Sequence, residues 1–302
     1  MTLAAAFGRF VRSTIAAAIA CLAMVASALP AAAQPAFWVI KDADSTIYLL
    51  GTIHLLKPDT VWRGPKLETA MKEAQELWLE LPTTNPEAMQ GEMLQLVTKY
   101  GLAPQLPLSK DLTPEELKTL DEAAKLAGLS AAQLNYFRPW FAALTISTAA
   151  MSHAGYDPAS GVDSKVEAMF RAREITPKGL ETAEEQISIF AGMSREQELQ
   201  YLRETMKEYE NASVELDQMV TQWAAGDVDN LETLLVEEMK AEGSDLYQAL
   251  LVNRNANWSV KIEDMLKGKG VTFIAVGAAH LMGPDSVIAM LKAKGIEARR
   301  VQ

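Results

Sequence analysis

The chain has 302 residues, is 49% hydrophobic, and carries 39 Asp and Glu against 28 Lys and Arg, for a formal net charge of −11. Nucleic-acid affinity depends on clustered cations, so this acidic balance argues against a phosphate-backbone binder. The single cysteine, Cys21, falls within an N-terminal apolar run. If that run is removed, no disulfide, thiol nucleophile or thiolate metal site can form.

The first 33 residues have the pattern of a secretory signal. Arg9 and Arg12 form a basic start, Thr14 to Leu29 is an alanine-rich apolar run, and Ala31-Ala32-Ala33 offers small residues for cleavage before Gln34. Alternatives are a retained anchor or lipid attachment at Cys21, although Ala18-Ile19-Ala20 fits a lipoprotein site poorly. The expected product is a periplasmic or secreted domain over residues 34–302, whose mature form does not span a membrane. No later stretch approaches 18 apolar residues.

In chain order, Phe37 to Ile40 and Thr46 to Leu50 are β-rich runs around the polar cluster Lys41 to Ser45, which predicts a hairpin. A helix is expected at Pro65 to Ala74. Glu76 to Leu81, ELWLEL, then alternates like a strand up to Pro82. The middle reads as helical. One helix starts at Asn85-Pro86, and a second starts at the Thr113-Pro114 cap and ends near Gly128. Ser130 to His153 is a long apolar segment that Pro139 should bend or restart. Gly161 to Arg173 is a shorter helix, and Thr176 to Thr182 a short extended piece. Amphipathic helix then runs from Glu184 to about Leu266, broken near Gly226 and Gly243.

The end returns to sheet. Val271 to Val276, VTFIAV, is a continuous apolar run typical of a strand covered on both faces. A helix at Ser286 to Lys294 and a last strand at Ile296 to Val301 follow. The expected fold is therefore α/β with α+β character: a mixed central sheet built from the two ends of one domain, with a large helical middle layer.

Two of the three histidines share a context. LLGTIHL (Leu49 to Leu55) and AVGAAHL (Ala275 to Leu281) each place Gly-x-x-His-Leu after an apolar strand. A glycine there permits a sharp turn. The imidazole would then stand at the carboxyl edge of a sheet, where α/β proteins bind ligands. If the strands are near neighbours, His54 and His280 face one crevice. A metal site usually needs a third protein ligand, and Glu80, closing the ELWLEL strand, is the natural donor. Neutral imidazole could also do acid/base work without metal. His153 lacks such a context and reads as an ordinary helix-end residue. No nucleophile-elbow serine, P-loop or His-Glu-x-x-His motif is present.

GTIHLLKPD and VGAAHLMGPDSV resemble the two signature turns of the TraB/GumN family, which includes the Tiki proteins. ELWLELP, RPWFAAL, GVDSKV, GLETAEEQ and NRNANW match it in order between them. The family is similar in fold to erythromycin esterase-like and haem-binding ChaN-like proteins. The resemblance implies a metal-dependent hydrolase of peptidase type, using manganese, cobalt or zinc, on a peptide or small-molecule substrate. It implies His54, His280 and Glu80 as metal ligands or acid/base groups, and Glu181 projecting into the same crevice. Arg254, beside Asn255, would pair with a carboxylate or stabilise charge on a substrate oxygen. Asp163 would fix the Glu181 or arginine geometry, or simply favour the start of its helix. Two other functions stay open: a metal-free His/Glu esterase-like hydrolase, and a periplasmic metal- or haem-binding or regulatory protein without catalysis.

Overall fold

A computed structural model describes residues 33–82, 86–237, 239–240 and 244–302. The signal-like segment, Asn85 and Gly243 lie outside the described residues. Six strands form one mixed sheet: β1 (Phe37–Lys41), β2 (Ser45–Thr52), β3 (Glu76–Leu79), β4 (Lys178–Gly179), β5 (Gly270–Gly277) and β6 (Arg299–Arg300), in the spatial order β4-β3-β5-β2-β1-β6. β1 and β2 make the expected hairpin, with Asp42 accepting from the backbone N–H of Ser45 at 2.8 Å in the turn. The two ends of the chain meet at the centre. β2 and β5 pair in parallel over eight residues, with Gly51 opposite Val276 and Thr52 opposite Gly277. β3 and β4 extend the parallel set, and β6 pairs antiparallel with β1. The last strand is shorter than Ile296 to Val301 predicts, with only two residues in the ladder.

The helices are α1 (Pro65–Glu73), α2 (Pro86–Tyr100), α3 (Pro114–Ala124), α4 (Ala131–Leu134), α5 (Pro139–His153), α6 (Val162–Arg171), α7 (Ala183–Ala191), α8 (Arg195–Glu208), α9 (Ala212–Ala225), α10 (Val228–Glu232), α11 (Ser244–Tyr247), α12 (Asn253–Leu266) and α13 (Val287–Ala293). Pro139 restarts the long apolar segment as the first residue of α5. Its ring fixes φ and its missing N–H costs nothing in a first turn. Thr113 and Glu116 form a reciprocal capping box at α3, and Gly128 ends that region in the left-handed conformation, φ 65°.

Side chains alternate across the sheet, so β5 feeds two cores. Phe273 and Ala275 pack under α1 and α6 with Leu67, Met71 and Phe170. Ile274 and Val276 pack on the opposite face against Trp258 and Ile262 of α12 and Val287 and Leu291 of α13. This two-sided burial is why VTFIAV lacks polar alternation. A third core joins α3, α5 and α8 through Leu120, Ala143, Ile146 and Leu202, away from the sheet. Among the described residues no helix is long and apolar enough to cross a membrane.

Candidate functional site

The four parallel strands each deliver a chemistry-bearing residue just beyond their carboxyl ends. β2 is followed by His54, β3 by Glu80, β4 by Glu181, and β5 by His280 in a short 3₁₀ turn, Ala278–Leu281. Parallel pairing puts all four at one sheet edge, where open α/β sheets bind ligands. The backbone N–H of Glu181 donates to Glu80 O at 3.1 Å, extending the ladder past the strands. α12 crosses this edge and contributes Arg254, Asn255 and Trp258, while the start of α6 contributes Asp163. The structure thus brings together every residue the sequence singled out for the site.

Glu80 is the hub. Its Oε1 lies 3.9 Å from His54 Nε2 and 3.8 Å from His280 Nε2, and accepts the backbone N–H of Gly277 at 2.6 Å. Its Oε2 accepts Arg254 Nη2 at 2.6 Å. The residue is 7% exposed. Burial opposes its charge, but the imidazoles of His280 and His54, the Arg254 guanidinium and the Gly277 N–H prevail and hold the carboxyl at about 2.

All five N–H donors of Arg254 are committed. Nε reaches Glu181 Oε2 at 3.0 Å, Nη2 reaches Glu80 and Glu181 Oε1, and Nη1 reaches Leu250 O at 3.1 Å and His280 Nε2 at 3.0 Å. Its guanidinium lies over the Trp258 ring, 4.7 Å from the centroid. Arg254 therefore has no donor left for a substrate oxygen, and its role is to hold two buried carboxylates and one imidazole in place. Gln186 completes this cluster by donating to Glu181 Oε1 at 2.7 Å.

The two imidazoles are oriented by different partners. Asn255 donates to Asp285 O at 2.8 Å, which turns its Oδ1 toward His280 Nδ1 at 2.6 Å. His280 Nδ1 therefore carries the hydrogen, and Nε2 is the acceptor that meets Arg254. His280 is 4% exposed and packs on Trp258 with ring centroids 4.3 Å apart. Burial, with the nearby Arg254 and His54 charges, lowers it to about 3, so it is neutral. His54 Nδ1 meets Asp163 Oδ2 at 2.8 Å, and Asp163 Oδ1 accepts the Thr52 hydroxyl at 2.7 Å. Partial desolvation of the ring by surrounding protein opposes protonation of His54, yet Asp163 and, less strongly, Glu80 raise it to about 9. Its side chain is 60% exposed at the mouth of the crevice.

Two expectations need correction. Asp163 does not fix Glu181 or Arg254; it orients His54. Nor do the two motif glycines serve to turn the chain. Neither has positive φ, and Gly277 sits at φ −50°, ψ 138°. Each is needed for space. A Cβ on Gly51 would lie 3.1 Å from Ala278 Cα, and one on Gly277 would lie 3.1 Å from Glu80 Oε1 and 3.3 Å from His54 Nε2. The missing side chain of Gly277 is the room between the imidazoles and the carboxylate.

Thr52, Trp258 and Gly161 escaped the sequence reading. Trp258 lies four residues after Arg254, one helical turn along the same face, a spacing that could have revealed it. Gly161 left no such signal: a Cβ there would fall 2.0 Å from His54 O, a contact made only by tertiary packing. The RPWFAAL segment lies elsewhere. Arg138 bonds Glu198, Ala191 O and Tyr100 O in the helical layer.

The chain matches the family model described as the TraB/PrgY/gumN family over residues 36–300, which takes in all six strands and every residue above. It belongs to that family. A relative from Treponema pallidum (strain Nichols), described as an uncharacterized protein, is 22% identical over 284 residues, covering 85% of this chain and 80% of the relative. No solved structure matches the chain significantly.

The resemblance implies a divalent cation, and the donor types at the site suit one. Metal-bound histidine characteristically donates its other ring N–H to a carboxylate or carbonyl, as His54 does to Asp163 and His280 to Asn255. Both Nε2 atoms face one carboxylate oxygen. The spacing is wider than in an occupied site. Bonds of about 2.0–2.1 Å place tetrahedral donors about 3.3 Å apart, and Arg254 competes for His280 Nε2. Among the described residues no three His, Cys, Asp or Glu side chains already form a metal-binding group, so an ion would have to draw these donors inward.

Proposed function

We propose that this chain is an exported hydrolase that activates water between His54 and Glu80, with a divalent cation held by His54, Glu80 and His280. One observation carries this reading: the two Gly-x-x-His turns aim both Nε2 atoms at Glu80 Oε1, at 3.9 and 3.8 Å, while separate partners fix each Nδ1. When bound, the cation would lower the pKa of a coordinated water and polarise a substrate carbonyl. The protein's own groups perform the rest. Asp163 accepts from His54 Nδ1, which leaves Nε2 facing the crevice as the donor to the cation, whose binding would displace the proton that Nε2 carries in the metal-free protein. Arg254 keeps Glu80 ionised and in place. His280, neutral and fixed by Asn255, offers a lone pair and never a competing charge.

The His54–Asp163 pair also supports a second reading, metal-free hydrolysis with Asp163 as orienter and His54 as a general base whose activity would rise as pH climbs through about 9. Turnover of a panel of peptide and ester substrates should be measured on metal-stripped protein, with and without Mn²⁺, Co²⁺ or Zn²⁺, alongside His54→Ala. Activity restored by a cation supports the first reading, and full activity after stripping supports the second. Substrate binding that survives in His54→Ala, with no turnover by the parent under any condition, would leave a binding or regulatory protein.

A further inference from the structure

The crevice at the sheet edge has two unlike walls. One carries Thr52, His54, Glu80, Arg254 and His280. The rest of the lining is apolar: Ile53, Ala278 and Ala279 come from the two turns beside Leu55, and Leu216, Met219, Leu235, Met239 and Leu250 come from the helical middle. Among the described lining residues, nothing outside the catalytic cluster is charged or hydrogen-bonding in its side chain. The cavity holds about 300 Å³, the small end of ligand pockets, suited to one side chain or short acyl group.

This wall is built by unusual backbone. Helix α10 continues into a π turn at Thr233–Glu237 that carries Leu235. A second π turn, Gln248–Val252, carries Leu250 and leads directly into α12 and Arg254. Such turns are rare and recur at functional sites, because the extra residue re-aims side chains. Here they aim leucines at the crevice, and the Leu250 carbonyl accepts Arg254 Nη1 at 3.1 Å. The two methionines supply unbranched, adaptable surface beside them. Leu250 of the apolar lining and Arg254 of the catalytic cluster are thus parts of one piece of backbone.

We infer that the substrate carries an apolar group, a short acyl chain or a hydrophobic side chain, directly beside its scissile carbonyl. This inference rests on the hydrolase reading. A charged or amide-bearing group would lose its water against this wall and gain no partner. An apolar group would gain contact with every methylene until the cavity fills.

The test uses the full-length protein and 4-nitrophenyl esters from acetyl to octanoyl, with octanohydroxamate and acetohydroxamate as binding probes. Burying a methylene is worth about 0.8 kcal/mol, so kcat/KM should rise about fourfold per added methylene before levelling off. Leu235→Asp and Met219→Asp should each cut the octanoyl-to-acetyl ratio by about tenfold or more; this is a ratio within one preparation, so it is insensitive to the fraction of protein folded. Hydrolysis with a flat or falling chain-length series overturns the inference and leaves the hydrolase reading standing. No hydrolysis of any ester, with octanohydroxamate binding at least tenfold tighter than acetohydroxamate, supports the apolar subsite while removing ester hydrolysis. No hydrolysis and no difference between the hydroxamates overturns both.

Discussion

The two Gly-x-x-His turns are near copies in sequence and opposites in structure. The first leaves β2 without helical turn, exposes its imidazole and ties Nδ1 to a carboxylate. The second winds into a 3₁₀ turn, buries its imidazole and ties Nδ1 to a neutral amide. The consequence is a proton affinity of about 9 at His54 and about 3 at His280. Environments that push two like groups so far apart give them different roles, a titrating one at His54 and a neutral, fixed one at His280. The motif therefore specifies where an imidazole stands, and the partner at Nδ1 specifies what it does.

The sharpest way to break this contrast is to remove the residue that both turns share. Arg254→Met leaves Glu181 buried without its cation and Glu80 with only His54, 3.9 Å away, which should cost about 3–5 kcal/mol in chemical denaturation. A loss under about 1 kcal/mol would mean that the two carboxylates can relax toward solvent, and that the cluster is looser than its hydrogen bonds imply.

Next in size is the difference between the histidines themselves. His280→Ala leaves an Arg254 N–H and the Asn255 carbonyl buried without a partner, costing about 1–3 kcal/mol of stability. His54→Ala removes an exposed, solvent-screened pair with Asp163 and should cost no more than about 1 kcal/mol near neutral pH while lowering turnover by about 10²–10⁴-fold. Equal stability losses in the two variants would erase the division between a framework histidine and a working one.

Much of this arrangement was legible in the sequence, and what was hidden is instructive. Strand-then-glycine patterns located His54 and His280, and the alternation of ELWLEL placed Glu80 at a strand end. Both are local signals, and parallel pairing did the rest by bringing distant strand ends to one edge. Asp163 was visible as a residue of interest, but its partner was not. Its link to His54 spans 109 positions and depends on α6 docking against the strand edge. The reason for the glycines was also hidden, since a residue chosen for turning and one chosen for space look alike until the neighbours are known. The two π turns left no periodic trace in the helical middle.

The orienting carboxylate gives a smaller but cleaner effect. In the metal-free protein, Asp163→Asn should bring the His54 midpoint down from about 9 toward the ordinary value near 6.5, as followed by NMR titration of the ring. Because the folded-state affinity is raised, the stability contributed by this pair is complete below pH 6.5. It should fade as pH climbs through 9, and Asp163→Asn should flatten that slope. An unchanged midpoint would assign the raised affinity to Glu80 instead.

The smallest change tests the space between the turns. Gly277→Ala adds one methyl 3.1 Å from Glu80 Oε1 and 3.3 Å from His54 Nε2, closer than most real Cβ contacts. Its backbone angles suit alanine, so no conformational strain arises and the fold should lose only about 1 kcal/mol. The methyl nevertheless occupies the gap in which a water or cation would sit, and displacement of about an ångström at such a centre can cost about 10²-fold in rate. Kinetics and denaturation on one preparation separate the two effects. A large rate loss with near-parent stability is expected if the gap is the working volume of the site. Near-parent rates would move the reacting atoms elsewhere in the crevice, toward the apolar wall.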